Sequence, residues 1–324
     1  MRRHGPLVVV GDSLLDVDLF GSATRLCPDA PVPVVDLAER WERPGGAGLA
    51  ALLAARAGQD VVLVTAIGED DAAVRLADLL SDQVELRPLR LVGDTVVKTR
   101  VSASGVPMLR LDSGGGRPAE GVLPRAVETV LASAGAVLVA DYGRGVASLP
   151  ALRARLAALA AELPVVWDPH PRGPDPVPHA AMVTPNAEEA RRFGGGDDAA
   201  GGARLLRHRW QVQAVAVTQG ERGALLSEPG RSVQVPLVGA VTTHGRQRLD
   251  TCGAGDQFAA SAAGALLGGA DAEAAVRTAV REAAAYVGAG AAATASVRVP
   301  NAHVDVAVDD TPDPRALALS PEVS

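Results

Sequence analysis

Residues 250–256 read Asp-Thr-Cys-Gly-Ala-Gly-Asp, and an Ala-rich run follows them. Small residues at Gly253, Ala254 and Gly255 let a backbone approach a ligand closely. At a helix start, their free N–H groups and the helix dipole attract an anion. A carboxylate at Asp256 suits that setting if it removes a proton from an attacking hydroxyl. The chemistry is then phosphoryl transfer, with Asp256 as catalytic base and the N–H groups of Gly253, Ala254 and Gly255 stabilising the moving charge. A plain Gly-rich turn with an acid in the first helical turn has the same spacing.

Other residues bear on that choice. Thr184-Pro185-Asn186-Ala187-Glu188-Glu189 follows a short apolar run. Asn186 and Glu189 share one face of a nascent helix. Oxygen ligands at a strand's C-terminal end suit Mg²⁺ held through water, although the same run is also a good helix cap. Asp12 and Asp16, with Gly45 and Gly46, suit the hydroxyls and close approach of a sugar. Turns account for them equally. Lys98 is the single lysine among 31 basic residues. An ammonium is not equivalent to a guanidinium, so Lys98, with Arg100 or Arg110, is a candidate for a substrate phosphate. A solvated strand lysine is the alternative. Cys252 reads as a packing residue, and His170 and His244 lack ligand-spaced partners.

These residues need a scaffold. Short apolar runs at 7–10, 61–65, 136–140, 165–167, 182–184 and 214–218 read as buried strands. Helical patterns lie at 47–57, 70–80, 123–133, 149–162, 187–193 and 198–208, then from 253 and over 271–288. The alternation predicts an α/β fold with a doubly wound, mostly parallel sheet. Residues 17–44, rich in Pro, suit edge strands and loops. Residues 94–112 suit half-exposed antiparallel sheet with a turn at 103–105. The last residues, about 305–324, read as a loose tail. Aromatics are only 2% of the 324 residues, so the core must be Ala, Val and Leu. The net charge of −7 argues against a general nucleic-acid or anionic-membrane surface. Two distant cysteines, no secretory signal and no apolar run of about 20 residues fit a cytoplasmic protein.

Gly45-Gly46, Asn186-x-x-Glu189, Val217-Thr218-x-Gly220-x-x-Gly223 and Asp250-Thr251-x-Gly253-Ala254-Gly255-Asp256 together resemble the ribokinase (PfkB) family of carbohydrate kinases, over roughly residues 6–300. The resemblance implies a ribokinase-like kinase domain over the whole chain, with a small β-sheet lid from about 17–44 and 94–112. It implies Mg·ATP as phosphoryl donor, with Asn186, Glu189, Thr218, Gly220, Gly223, Gly253 and Gly255 toward ATP. Adenine is expected near 285–290 and Ala293. Asp12, Asp16, Gly45, Gly46, Lys98 and Arg110 are expected toward the acceptor, a sugar phosphate, and a homodimer is expected through the lid.

Within the family, the chain is most similar to the kinase domain of bifunctional heptose-phosphate enzymes. The segments are Val10-Gly11-Asp12-Ser13-Leu14-Leu15-Asp16, 30–35, 43–47, 98–101, 109–112 and Asp141-Tyr142-Gly143-Arg144-Gly145. This implies phosphorylation of D-glycero-β-D-manno-heptose 7-phosphate at its anomeric hydroxyl. Another sugar kinase, or a non-catalytic binding protein on this scaffold, is the alternative. Four positions depart from the pattern: Leu49 for an amide, Pro107 and Met108 for a Gln pair, and His170 for a lysine. No His-x-Gly-His run follows residue 256, so no second, nucleotidyltransferase domain is expected.

Overall fold

Val-rich runs bounded by turn residues form the centre of the molecule. The computed structural model describes residues 5–195, 198–237 and 250–300. The expected tail at 305–324 and His244 lie outside the described residues. In chain order the first elements are β1 (Leu7–Gly11), β2 (Ser13–Leu26), β3 (Pro33–Gly46), α1 (Ala47–Arg56), β4 (Val61–Ile67), α2 (Asp71–Leu80) and β5 (Glu85–Val92). Then come β6 (Val97–Ala103), β7 (Val106–Ser113), β8 (Arg117–Pro118), α3 (Arg125–Ser133), β9 (Ala136–Ala140), α4 (Pro150–Ala160), β10 (Val165–Asp168) and β11 (Met182–Val183). The last are α5 (Ala187–Ala190), α6 (Ala199–Trp210), β12 (Val215–Thr218), β13 (Ala224–Glu228), β14 (Arg231–Val235), α7 (Ala254–Leu267), α8 (Ala272–Gly288) and β15 (Val297–Val299).

The larger sheet runs β14, β13, β12, β11, β10, β9, β1, β4, β5, β8. From β12 to β5 the pairs are parallel, and antiparallel strands close both edges. Alternate residues serve opposite faces. Leu7, Val9, Leu63 and Leu138 pack with Ala50, Leu53, Phe258 and Val276 of α1, α7 and α8. Val8, Val10, Val137 and Trp167 pack with Leu131, Leu152, Leu156 and Leu206 of α3, α4 and α6. Burial on both faces explains why the strands read as unbroken apolar runs. The doubly wound α/β architecture is as expected.

The second sheet runs β15, β3, β2, β6, β7. Residues 17–44 are not mainly edges and loops: they lie largely in two strands of 14 residues each. Their prolines are tolerated because β15 pairs only with residues 40–42 of β3, so Pro33 and Pro44 leave no gap in that ladder. The hairpin between β6 and β7 turns at Ser104 and Gly105, both at positive φ. Helix α5 stops at Ala190, short of the expected 193. A wider turn follows, and Gly194 at φ 93 breaks it. Strand β5 and the β13–β14 hairpin were not legible in the pattern.

The sheets meet at Gly46. Ser13 opens β2 just after β1, and it pairs with Gly46 at the end of β3. Gly46 sits at φ 61, and a Cβ there would overlap the Asp12 carbonyl oxygen. That oxygen accepts the Ala47 N–H at 3.0 Å, which starts α1 against β1. Glu42 of β3, 1% exposed, braces the joint by accepting from Arg40 at 2.6 Å and from Arg75 of α2 at 2.9 Å. Gly46→Ala should therefore lower the unfolding free energy by at least about 1–3 kcal/mol. Urea denaturation with an unchanged midpoint would contradict this account of the joint.

Candidate active site

Parallel strands end together, so residues just past them become neighbours. Gly11 and Asp168 both register against Ala140, which brings Asp12, Asp141 and Asp168 to one rim. Asp12 is 3% exposed. Its carboxylate accepts the N–H groups of Tyr142 (3.1 Å), Arg144 (2.9 Å) and Val146 (2.9 Å). Charge-assisted bonds of this kind each contribute about 1.5–3 kcal/mol. Asp12, expected to meet sugar hydroxyls, is instead the anchor of the loop after β9. Both its oxygens are already engaged.

That loop reaches Asp256. The Asp256 side chain lies in the first turn of α7, buried, and accepts the Tyr142 hydroxyl at 2.7 Å. Burial pushes its carboxyl up to about 7; the Tyr142 hydrogen bond opposes this, Asp16 adds to it, and Lys98 opposes it. A carboxylate titrating there is matched to a general base near neutral pH. Gly253 caps the helix at φ 81. A Cβ there would come within 2.6 Å of the Tyr286 hydroxyl and 2.8 Å of Leu49 Cδ2. Leu49 thus underlies the glycine loop as a core residue, 2% exposed, and its apolar type is explained by packing.

The donor set differs from expectation at one residue. The Ala254 N–H already donates to the Thr251 carbonyl at 3.1 Å, closing the turn. Among the described residues the N–H groups of Gly253, Gly255 and Asp256 have no protein acceptor. These three are the orphan donors of a helix start.

Two connected clefts meet here. One, of about 200 Å³, is lined by Asp141, Tyr142, Asp168, His170, Thr184, Asn186, Glu189 and Asp256. The other, of about 720 Å³, is lined by Gly220, Gly223, Leu237, Phe258, Val280, Ala283, Ala284 and Val287. They share Thr218 and Gly255. The apolar cleft faces Val280, Ala283, Ala284 and Val287, which recur on one face of α8. Of the residues expected near adenine, Val287 lines it and Ala293 does not. The expected Thr218, Gly220 and Gly223 do line it. Gly223 adopts φ 82 where a Cβ would overlap the Val235 carbonyl oxygen.

Asn186 and Glu189 form a complete capping box. Asn186 Oδ1 accepts the N–H groups of Glu188 and Glu189, both at 2.9 Å, and Glu189 Oε2 accepts the Asn186 N–H at 2.9 Å. Both readings of this motif meet: the cap holds the side chains, and they line the cleft. Asp168, not singled out from the sequence, lies opposite and accepts the Thr184 hydroxyl at 2.8 Å. Burial holds the Asp168 carboxyl well above its ordinary range, and the neighbouring Asp256, Glu189 and Asp141 add to this. Burial also raises Glu189, and it raises Asp141 to about 7. Asp141 Oδ2 is buried without a partner. Clustered oxygen donors that repel one another fit a hard divalent cation. Among the described residues no group of three or more His, Cys, Asp or Glu is placed to hold a metal ion by itself.

The second sheet supplies the opposite wall. Asp16, 5% exposed, accepts Arg100 at 2.7 Å and lies 3.9 Å from Arg43, which also pairs with Asp18. Gly45 is required beside it, since a Cβ would come 2.5 Å from Asp16 Oδ2. Lys98 registers against Asp16 and Asp112, and its ammonium lies 5.7 Å from the Tyr142 ring centroid. Burial lowers its pKa; Asp16 opposes this, and Arg110, Arg144 and Arg100 add to it. Among the described residues Lys98 has no ion pair. Arg110, expected toward the substrate, is tied by two bonds of 2.6 and 2.7 Å to exposed Asp112. Arg144, whose N–H Asp12 holds, is a nearer match for the intended role, because its guanidinium has no carboxylate partner among the described residues.

The site thus unites Asp16, Gly45, Gly46, Lys98, Asn186, Glu189 and residues 253–256. Reasoning from sequence assigned no role to Tyr142 or Asp168, whereas Arg144, just past a strand end, was already a candidate to reach phosphates, with a surface role as the alternative. The signal available was position, since each stands at or just past the end of a buried strand.

Residues 6–298 match the family described as pfkB family carbohydrate kinase. A bifunctional protein HldE of Streptomyces coelicolor is 49% identical over 324 residues, covering 97% of this chain and 66% of that protein. A bifunctional protein HldE of Azorhizobium caulinodans is 35% identical, covering 84% of this chain and 58% of that protein. The chain therefore spans less than two thirds of the curated relatives it matches first. A ribokinase of Arabidopsis thaliana complexed with ribose and ATP superposes with a TM-score of 0.66 at 22% identity, covering 88% of this chain and 93% of that one. Phosphofructokinase-2 of Escherichia coli superposes at 0.64 with 17% identity, covering 87% and 93%. These structures share the ribokinase-like fold.

The buried acid has a stability cost with a definite sign. A carboxyl raised to about 7 binds its proton more tightly folded than unfolded. Its contribution is full below pH 4 and is lost as pH rises through 7. Asp256→Asn should be more stable than the natural protein at pH 8 by on the order of 2–4 kcal/mol, with the gap closing toward pH 4. Denaturation curves at both pH values check this, and a pH-independent gap would contradict the burial argument.

Proposed function

Because the chain belongs to the pfkB family of carbohydrate kinases, we propose that it phosphorylates the anomeric hydroxyl of D-glycero-β-D-manno-heptose 7-phosphate with ATP, giving the 1,7-bisphosphate. The observation that carries this reading is the buried Asp256 carboxylate. It stands beside three N–H donors without a protein acceptor on one side and, on the other, a basic wall containing Lys98, which has no ion pair among the described residues.

Asp256 takes the proton as the acceptor oxygen bonds to the γ-phosphorus and the bond to the β–γ bridging oxygen breaks, leaving ADP. The N–H groups of Gly253, Gly255 and Asp256 stabilise the equatorial oxygens of the transferring group. The apolar cleft along α8 receives adenine, and Thr218, where the two clefts meet, lies toward the phosphates. Asn186, Glu189 and Asp168 would hold Mg²⁺, which neutralises phosphate charge when bound. Asp16, Gly45 and Gly46 form the sugar wall. Lys98 and Arg144 receive the acceptor's own phosphate, which favours a phosphorylated sugar over a free pentose.

The second sheet acts as a lid that excludes water. We take residues 5–300 as one kinase unit with this lid inserted. A homodimer through the lid would cover β7, an edge strand that exposes Val106, Met108, Leu109 and Leu111. A cytoplasmic site of action fits a sugar-phosphate substrate. No helix among the described residues is long and apolar enough to cross a membrane.

ADP release should be fastest with heptose 7-phosphate in a panel including fructose 6-phosphate and ribose. Asp256→Asn should lose about 10²–10⁴-fold in kcat with KM for ATP kept. Lys98→Met should raise KM for the sugar phosphate at least about tenfold. Turnover retained by Asp256→Asn rejects the base, and an unchanged KM in Lys98→Met rejects the phosphate assignment. Leu109→Asp should convert the dimer to a monomer by light scattering; a natural protein that is already monomeric rejects the lid interface.

A further inference from the structure

The Tyr142 side chain touches both halves of this site. Its hydroxyl donates to Asp256 Oδ1 at 2.7 Å, and Lys98 Nζ lies 5.7 Å from its ring centroid. Its own N–H is held by Asp12 at 3.1 Å, so the ring's origin is fixed to the end of β1. A carboxylate has two oxygens. With Oδ1 taken by Tyr142, the rotation of Asp256 is set, and Oδ2 is left to receive a proton. A cation over a ring face is attracted by the ring quadrupole. The ring therefore also sets the place of an ammonium that has no ion pair among the described residues.

We propose that Tyr142 is a positioning residue for phosphoryl transfer: its hydroxyl fixes the orientation of the Asp256 carboxylate, while its ring seats Lys98, so that the proton acceptor and the substrate's phosphate are held at a set separation. This rests on the reading of Asp256 as base. The remaining groups in the field of Asp256 are Asp16 on β2, Lys98 on β6, Asp168 on β10 and the Tyr286 hydroxyl on α8. None of these takes over the Tyr142 bond to Asp256 Oδ1.

Two substitutions separate hydroxyl from ring. Tyr142→Phe keeps the ring, so KM for heptose 7-phosphate should stay while kcat at pH 7 falls about 10- to 100-fold. The hydroxyl stabilises the charged carboxylate, so its loss moves the acidic limb of the kcat/KM profile upward, and part of the rate returns at higher pH. Tyr142→Leu removes the ring as well and should raise KM for the sugar phosphate, with KM for ATP unchanged in both variants. An unmoved acidic limb in Tyr142→Phe, or a rate loss that follows ATP affinity, overturns the proposal. Asp256→Asn assayed alongside separates the two readings. Retained turnover there removes the base itself. An inactive Asp256→Asn with an unmoved Tyr142→Phe limb removes only the role of Tyr142.

Discussion

The Asp12 carboxylate is the tie on which the site depends. It gathers three backbone N–H groups from residues 142–146, while its main-chain carbonyl accepts the N–H that begins α1. One residue thus fixes the end of β1, the loop after β9 and the start of α1. Tyr142 and Arg144 project from that loop, so their positions follow from Asp12. Asp12 is 3% exposed, and the backbone donors that bury it satisfy its carboxylate.

Electrostatics then divides the cleft. Asp141, Asp168, Glu189 and Asp256 crowd one side, and burial raises all four carboxyls. Lys98, Arg100, Arg110 and Arg144 crowd the other, where burial lowers Lys98 and Arg144. The four carboxyls resist their own charge, as do Lys98 and Arg144, while Arg100 and Arg110 are already paired with Asp16 and Asp112; an incoming opposite charge relieves each side. A cation-laden nucleotide suits the first, and a phosphorylated acceptor suits the second. Preorganisation of this kind lowers folding stability and is a usual feature of phosphoryl-transfer sites.

Much of the fold was legible because buried parallel strands leave a simple mark. Residues 7–10, 136–140 and 165–167 are apolar without interruption, since both faces are covered. Strand β5 was not legible because Pro88 and three charged residues interrupt it near the sheet edge. The long β2–β3 ribbon was hidden by prolines whose missing N–H groups point where no partner strand runs. At the site, the Asp256 loop was legible from glycine spacing. Ala254 was misassigned as a donor because a turn bond to Thr251 depends on backbone dihedrals that composition does not fix.

The sequence by itself determined the chemistry: small residues before a carboxylate at a helix start, Asn186 and Glu189 three apart, and one lysine in a chain of arginines. Each of these is local, because spacing along a helix or turn sets which groups share a face. Only the tertiary structure decided the partners of those groups. That Asp12 faces inward to hold a loop, that Tyr142 meets Asp256 across 114 residues, and that Leu49 underlies Gly253 all follow from strand order and register. Those are cooperative outcomes of burying two sheet faces at once, and no window of the chain contains them.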